Sequence, residues 1–182
     1  MNNYPVRKHP RLRSYDYSRP GAYFVTMISR NRRPIFGTPT RTGILLTDAG
    51  RIVHESWLLV PERFRGVYVD AFVVMPDHVH AVIIRLQNDS PSSTVGQVVG
   101  WTKQRATRAI ACLVSPCQTP IWQTSFHDRV IHNQEGLRRA RNYVIANPAR
   151  AWHDARHVSR RSPIALASSV LNIFNPVSEP PI

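Results

Sequence analysis

The chain has 182 residues, of which 42% are hydrophobic, so it is long and apolar enough for one globular domain and is not typical of a disordered protein. It carries 24 Lys and Arg against 11 Asp and Glu, a formal net charge of +13. Such an excess favours a polyanionic partner over a generic basic surface, because each neutralised phosphate releases counterions. No segment has the apolar length of a signal peptide or a membrane span, so we expect a cytoplasmic protein without a membrane partner.

Residues 1–20 are rich in Arg, Tyr and Pro and lack periodicity, so we predict a basic arm. Its Arg11 and Arg13 are candidate contacts to a phosphate backbone. Residues 21–157 contain the periodic apolar segments and are predicted to form the folded domain. Residues 158–182 are rich in Ser, Pro and Arg, which is typical of a terminal tail.

Gly21 to Ser29 alternates and is rich in aromatic and β-branched residues, which predicts a first strand. Pro and Gly punctuate residues 30–43, which indicates either a loop or a short hairpin. Thr47 can cap a helix covering Asp48 to Val60, which Pro61 ends or bends.

The later elements are predicted from the same patterns. Strands at 67–75 and 78–85 are joined through Pro76-Asp77 as an antiparallel hairpin, and both should be central because both of their faces are apolar. They are followed by a helix from Thr94 to about Val114, a strand over 121–131, and a helix from Gln134 to about Ala146 that Pro148 stops.

The order strand, helix, two strands, helix, strand, helix predicts an α+β fold. It is a ferredoxin-like split βαβ plan with a central antiparallel sheet, helices on one or both faces, and an added C-terminal helix.

His78 and His80 lie two residues apart in an apolar, β-branched segment. Alternate side chains of a strand share a face, so both imidazoles point the same way. Two neutral imidazoles on one rigid face form half of a divalent-metal site. The alternative is an incidental pair of histidines at a strand end.

Tyr143 and Asn147 are four residues apart and therefore neighbours on the last helix. They lie at the edge of its apolar stripe, from which a tyrosine can reach the sheet while its hydroxyl stays accessible. A phenol attacking a phosphodiester would need help, since its pKa is about 10. The alternative is a packing tyrosine and an asparagine that caps the helix before Pro148.

Segments of the sequence resemble a known family. They are Arg11 to Ser18 followed by Gly21 to Thr26, then Val73 to His80, Trp122 to Ile131, and Arg141 to Pro148. In order and spacing they resemble the REP-associated tyrosine transposases, which are single-tyrosine HUH transposases of the IS200-like group. The resemblance covers about residues 11–152 and is more specific than a lone His-x-His pattern.

The resemblance implies an HUH transposase domain that cleaves and rejoins single-stranded DNA beside a hairpin, with Mg²⁺ or Mn²⁺. His78 and His80 match the metal ligands, and Tyr143 matches the nucleophile that forms a covalent 5'-phosphotyrosine. Asn147 occupies the position of a polar third ligand, where some relatives have glutamine. On the second helix Lys103, Arg105 and Arg108 are candidate phosphate contacts, although a solvated basic face explains them nearly as well.

Two other functions fit the same residues. A non-catalytic descendant could keep the fold and only bind single-stranded DNA. A zinc hydrolase could cleave with a metal-bound water, without any covalent adduct. The sequence leaves open whether the protein acts as a monomer or as a homodimer.

Overall fold

The computed structural model describes residues 16–86, 93–113 and 120–161, with side chains up to residue 156. Arg11 and Arg13 of the predicted arm, and residues 162–182 of the predicted tail, lie outside the described residues. Within these ranges no helix is long and apolar enough to cross a membrane. The domain boundaries at residues 20 and 157 stay predictions.

The centre of the described structure is a four-stranded antiparallel sheet with strand order β4-β5-β1-β6. Its strands are β1 (Gly21–Ile28), β4 (Val67–Val74), β5 (His78–Arg85) and β6 (His127–Ile131). Helix α1 (Asp48–Leu58) connects the first two of these strands, and helix α3 (Val95–Leu113) connects the last two. The predicted ferredoxin-like split βαβ plan is therefore confirmed.

Alternate side chains of β1 belong to two hydrophobic cores, one on each face of the sheet. Tyr23, Val25 and Met27 are fully buried in a large core that includes side chains of α1 and α3, and these two helices contact each other. Ala22 and Phe24 face the opposite side, where they pack against helix α4 (Gln134–Arg161). The period of two along a strand thus assigns alternate residues to opposite helical layers.

The segment after β1, which the sequence left as a loop or a hairpin, contains a hairpin of β2 (Gly37–Thr40) and β3 (Gly43–Leu46). Thr47 caps α1 as predicted, because its hydroxyl accepts a hydrogen bond from Gly50 N at 3.1 Å. The helix ends at Leu58. A short helix α2 (Val60–Arg63) follows, with Pro61 in its first turn.

The prediction that Pro148 stops the last helix is wrong, since α4 continues through Pro148 to Arg161. A proline in a helix removes one N–H donor and costs about 3 kcal/mol, which tertiary contacts can offset. Helix α4 contacts the β2–β3 hairpin as well as β4 and β5. The hairpin therefore adds a packing surface for α4 that the local sequence of the helix does not reveal.

The predicted strand at 121–131 is shorter than expected, because β6 begins only at His127. Before it, Trp122 makes an isolated bridge to Ser29. Lys103 on α3 donates hydrogen bonds to the carbonyl oxygens of Gln123 and Ser125, at 2.8 and 2.7 Å. Those carbonyls are thus engaged by a side chain instead of a neighbouring strand.

A β-bulge in β4 fixes α4 to the edge of the sheet. The pairing of β4 with β5 shifts between Val69 and Ala71, which leaves Asp70 as the extra residue. Asp70 accepts two hydrogen bonds from the guanidinium of Arg141 on α4, at 2.6 and 2.7 Å. This bidentate ion pair lies two residues before Tyr143 and sets the position of that part of the helix.

Two helical glycines provide a test of the packing. A Cβ at Gly50 would lie 1.9 Å from Phe36 O, a backbone atom that cannot move aside, whereas a Cβ at Gly100 on α3 meets nothing within 4 Å. We expect Gly50→Ala to lower the free energy of unfolding and Gly100→Ala to raise it by about 0.5–1 kcal/mol. Urea denaturation of both variants measures this, and equal effects would contradict the close contact between α1 and the hairpin.

Candidate active site

The site is built on a row of residues that runs across three strands. Thr26 on β1 is paired with His80 on β5 and with His127 on β6. Directly paired residues point to the same face of a sheet, here the face covered by α4. The row therefore places Thr26 between two histidines, one on each side, under the helix that carries Tyr143.

His78 and His80 are brought together as predicted. Their Nε2 atoms lie 3.1 Å apart, and each ring is held through its other nitrogen. Nδ1 of His80 is hydrogen-bonded to Thr26 Oγ1 at 2.8 Å, and Nδ1 of His78 to Asp77 Oδ1 at 2.5 Å. Fixing both Nδ1 atoms directs both Nε2 atoms to one common point.

Asp77 links the histidine pair to the loop after β1. Its second carboxylate oxygen accepts a hydrogen bond from Arg32 Nη1 at 3.2 Å. The hydrogen bond to His78 is the main reason that the pKa of Asp77 lies below its ordinary value, with a further contribution from Arg32. The carboxylate is thus kept ionised and held between a cation and an imidazole.

The pKa of His80 is lowered to about 4, mainly by burial and next by the nearby His78, while Asp77 partly opposes the shift. At neutral pH the ring is therefore uncharged. A neutral imidazole is the form that donates a lone pair to a metal ion.

Tyr143 lies against the histidine pair and remains accessible. Its ring centroid is 5.1 Å from that of His80 and 5.7 Å from that of Phe24, both in edge-on geometry. Phe24 in turn stacks on His80 at 5.3 Å. The side chain is 40% exposed, so the phenol packs by one edge while solvent and a substrate can reach it.

Asn147 is buried one helical turn after Tyr143, and its Nδ2 donates a hydrogen bond to the carbonyl oxygen of Tyr143 at 2.8 Å. This bond uses the amide nitrogen, so Oδ1 is the atom available to a ligand. The contact ties the side chain of the predicted third ligand to the backbone of the predicted nucleophile.

The histidine pair fits a divalent cation. Two nitrogens bound at right angles to one ion, each at about 2.1 Å, lie about 3 Å apart, close to the 3.1 Å between these Nε2 atoms. Both Nδ1 partners match the outer hydrogen bonds that orient metal-binding histidines. Within the described residues no group of three or more His, Cys, Asp and Glu side chains is placed to hold a metal.

The predicted basic contacts lie elsewhere. Lys103, Arg105 and Arg108 belong to α3, which covers the opposite face of the sheet from Tyr143. Lys103 binds two backbone carbonyls, and the guanidinium of Arg105 lies 5.9 Å from the ring centroid of Trp101. The fold therefore does not bring the basic residues of α3 together with the histidine pair.

Several residues of the site have no local sequence signal that marks them as functional. Thr26 and Phe24 looked like ordinary strand residues, and Asp77 looked like part of a turn. The alternation of β1 indicates that Phe24 and Thr26 share a face, but not which strands flank them. Arg150, whose guanidinium lies 5.5 Å from the ring centroid of Tyr143, is concealed by its position beyond Pro148.

Comparisons with known proteins find relatives at low sequence identity. No family model matches the chain. A protein of unknown role from Haemophilus influenzae is 26% identical, over 78% of this chain and 88% of that protein. The REP-associated tyrosine transposase of Escherichia coli is also 26% identical, over 74% of this chain and 70% of that protein.

A solved structure of a REP-associated tyrosine transposase bound to a REP hairpin matches with a TM-score of 0.57 and 20% identity. The match covers all of this chain and 99% of the other. The resemblance to the REP-associated tyrosine transposases is confirmed. At 20% identity the structural match shows a shared fold.

The pKa of His80 leads to a stability prediction for this protein. In EDTA, the unfolded imidazole takes up a proton near pH 6.5, whereas the folded one resists protonation down to about pH 4. The unfolded state thus binds more protons between these values, and the free energy of unfolding falls by roughly 3 kcal/mol as the pH is lowered through this window. Urea titrations of wild type and His80→Gln measure this loss.

His80→Gln should show a flatter pH dependence between 6.5 and 4 than the wild type. The exposed His153 provides the control, because His153→Gln should leave the wild-type slope unchanged. Identical slopes in wild type and His80→Gln would contradict a buried, neutral His80.

Proposed function

We propose that the protein is a transposase that cleaves and rejoins single-stranded DNA through Tyr143. The observation that carries the proposal is the contact between the accessible Tyr143 ring and His80, whose Nε2 meets that of His78. A nucleophile beside a candidate cation site is an arrangement that can carry out phosphodiester transfer. The low-identity transposase relative and the shared fold support the same function.

The proposed step is a transesterification. Tyr143 Oη forms a bond to the scissile phosphorus, and the bond from phosphorus to the 3' oxygen breaks. The phenol loses a proton and the departing 3' oxygen gains one, so DNA is left with a 5'-phosphotyrosine and a free 3'-hydroxyl. The phosphodiester energy is stored in the covalent link, so the reverse attack by a 3'-hydroxyl rejoins the strand.

His78 and His80, with Oδ1 of Asn147, would hold Mg²⁺ or Mn²⁺. When bound, the cation would polarise the scissile phosphate and stabilise its developing charge. Phe24 holds Tyr143 and His80 at fixed spacing, because its ring packs against both. Arg150 places a positive charge beside the Tyr143 ring, where it favours an approaching phosphate.

The proposed substrate is single-stranded DNA next to a folded hairpin. The net charge of +13 supports a polyanionic partner, and the solved transposase of the same fold is described as bound to a REP hairpin. The protein would act as a monomer or a homodimer. Arg11 and Arg13 of the arm, and the basic residues of α3, would follow DNA beyond the site itself.

A covalent adduct is the direct test. Labelled hairpin DNA with a single-stranded flank is incubated with the protein and Mn²⁺, and the products are separated on a denaturing gel. We expect a protein–DNA adduct in the wild type and none with Tyr143→Phe, which keeps the ring contacts but lacks the hydroxyl. Tyr68→Phe is the control, since Tyr68 is also exposed but lies on β4.

The alternatives give other results in the same assay. Cleavage without an adduct would establish a hydrolase, and binding without cleavage would establish a DNA-binding module. An adduct that persists with Tyr143→Phe would show that another residue is the nucleophile.

The histidine pair gives a second prediction. We expect Asp77→Asn to raise the Mn²⁺ concentration needed for half-maximal adduct formation by about 10–100-fold, because His78 loses its charged partner. Asp48→Asn removes an exposed carboxylate on α1 that pairs with Arg51, and should leave the Mn²⁺ requirement unchanged. An adduct yield that does not change in His78→Ala would contradict the proposed metal site.

A further inference from the structure

A cavity of about 430 Å³ lies beside Tyr143, on the side away from the histidine pair. Its floor is formed by Phe24 and Thr26 on β1 and by His127 and Arg129 on β6. Arg139 and Tyr143 of α4 line it from above. Its volume is within the range of about 300–1,000 Å³ that is usual for pockets that bind small molecules.

The order of the strands places this cavity and the histidine pair on opposite sides of Thr26. His80 flanks Thr26 from β5, and His127 flanks it from β6. In the next row, Phe24 is paired with Arg129. Since β6 is the last strand of the sheet among the described residues, the cavity leads from Tyr143 to the β6 edge.

Asp128 also lines the cavity, but it is paired with Val25, so its side chain points to the opposite face of the sheet, where both carboxylate oxygens are buried. The charged side chains exposed at the cavity are Arg129 and Arg139, which suit a phosphate.

Arg129 is exposed, and no carboxylate of the described residues pairs with it. Arg139 makes one hydrogen bond of 3.2 Å to Glu135, whereas its neighbour Arg138 binds the same carboxylate with two bonds of 2.8 and 2.9 Å. A phosphate entering the cavity could therefore be bound by two guanidinium groups, which form strong charge-assisted hydrogen bonds to phosphate oxygens.

The remaining lining suits a base. Phe24 and His127 provide ring surfaces at the floor, and base-on-aromatic stacking is largely independent of sequence. We infer that this cavity binds the nucleotide next to the scissile phosphate. Arg129 and Arg139 hold the phosphate of that nucleotide, and the strand leaves the site across the β6 edge.

The inference deepens the proposed function and rests on it, because the scissile phosphate is defined by attack of Tyr143. Binding can nevertheless be measured without cleavage. In EDTA, fluorescence anisotropy of the labelled hairpin oligonucleotide with its single-stranded flank reports the dissociation constant alone.

We expect Arg129→Gln and Arg139→Gln each to weaken binding about 5–10-fold. Each should also reduce the slope of log affinity against log salt by about 0.7, the value for one contact to a single strand. Arg156→Gln is the matched control, since Arg156 is also an exposed arginine of α4 but lies beside Trp152 and does not line the cavity. Its affinity and salt slope should stay at the wild-type values.

A double-mutant cycle locates the contact. Once the adduct assay has mapped the cleaved bond, a neutral methylphosphonate replaces each flanking phosphate of the oligonucleotide in turn. At the flanking phosphate that Arg129 contacts, the replacement should weaken the binding of the wild-type protein several-fold. It should have little effect on the binding of Arg129→Gln, which already lacks that contact. Replacements elsewhere should weaken both proteins equally.

The two proposals fail in different ways. If the adduct forms but no flanking phosphate is coupled to Arg129 or Arg139, the cavity does not bind the neighbouring nucleotide and the transesterase function stands. If no adduct forms, the proposed function fails. The cavity can still be tested by binding in EDTA, with each phosphate of the single-stranded flank replaced in turn. Wild-type affinity and salt slope in both arginine variants would overturn the cavity assignment in either case.

Discussion

The pairing of β1 with β5 on one side and β6 on the other is the constraint on which the site depends. It places Thr26 between His80 and His127, and Phe24 between Val82 and Arg129, all on one face. A slip of one residue in either pairing would turn these side chains to the opposite layer. The fully buried Tyr23, Val25 and Met27 oppose such a slip, because it would expose them.

The two faces of the sheet have different physical roles. The face under α1 and α3 is closely packed and buried, which gives the strands a rigid position. The face under α4 has a smaller core of Val82, Leu137, Ala140 and Val144, and beside it polar and aromatic groups remain partly open to solvent. Stability is thus concentrated on one face, and reactive groups are supported on the other.

Much of this architecture could be predicted from the sequence. The alternation in β1, the apolar segments of β4 and β5, the Thr47 cap and the shared face of His78 and His80 are local patterns, and each was predicted. The course of α4 beyond Pro148 was not, because its contacts with the β2–β3 hairpin are distant in sequence. The roles of Thr26, Arg129 and Arg139 could not be predicted for the same reason, since only strand pairing and helix docking reveal their neighbours.

The bulge at Asp70 also affects how the molecule meets other chains. Among the described strands β4 lies at one edge of the sheet, so the prediction that it is a central strand is wrong. A regular edge strand offers a row of free N–H and C=O groups to any second strand. The extra residue interrupts that row and turns a carboxylate toward α4, where Arg141 binds it. A regular strand of a second chain could not pair with the whole length of β4, because the bulge interrupts the pairing. The bulge that positions α4 therefore also disfavours the addition of another strand at this edge.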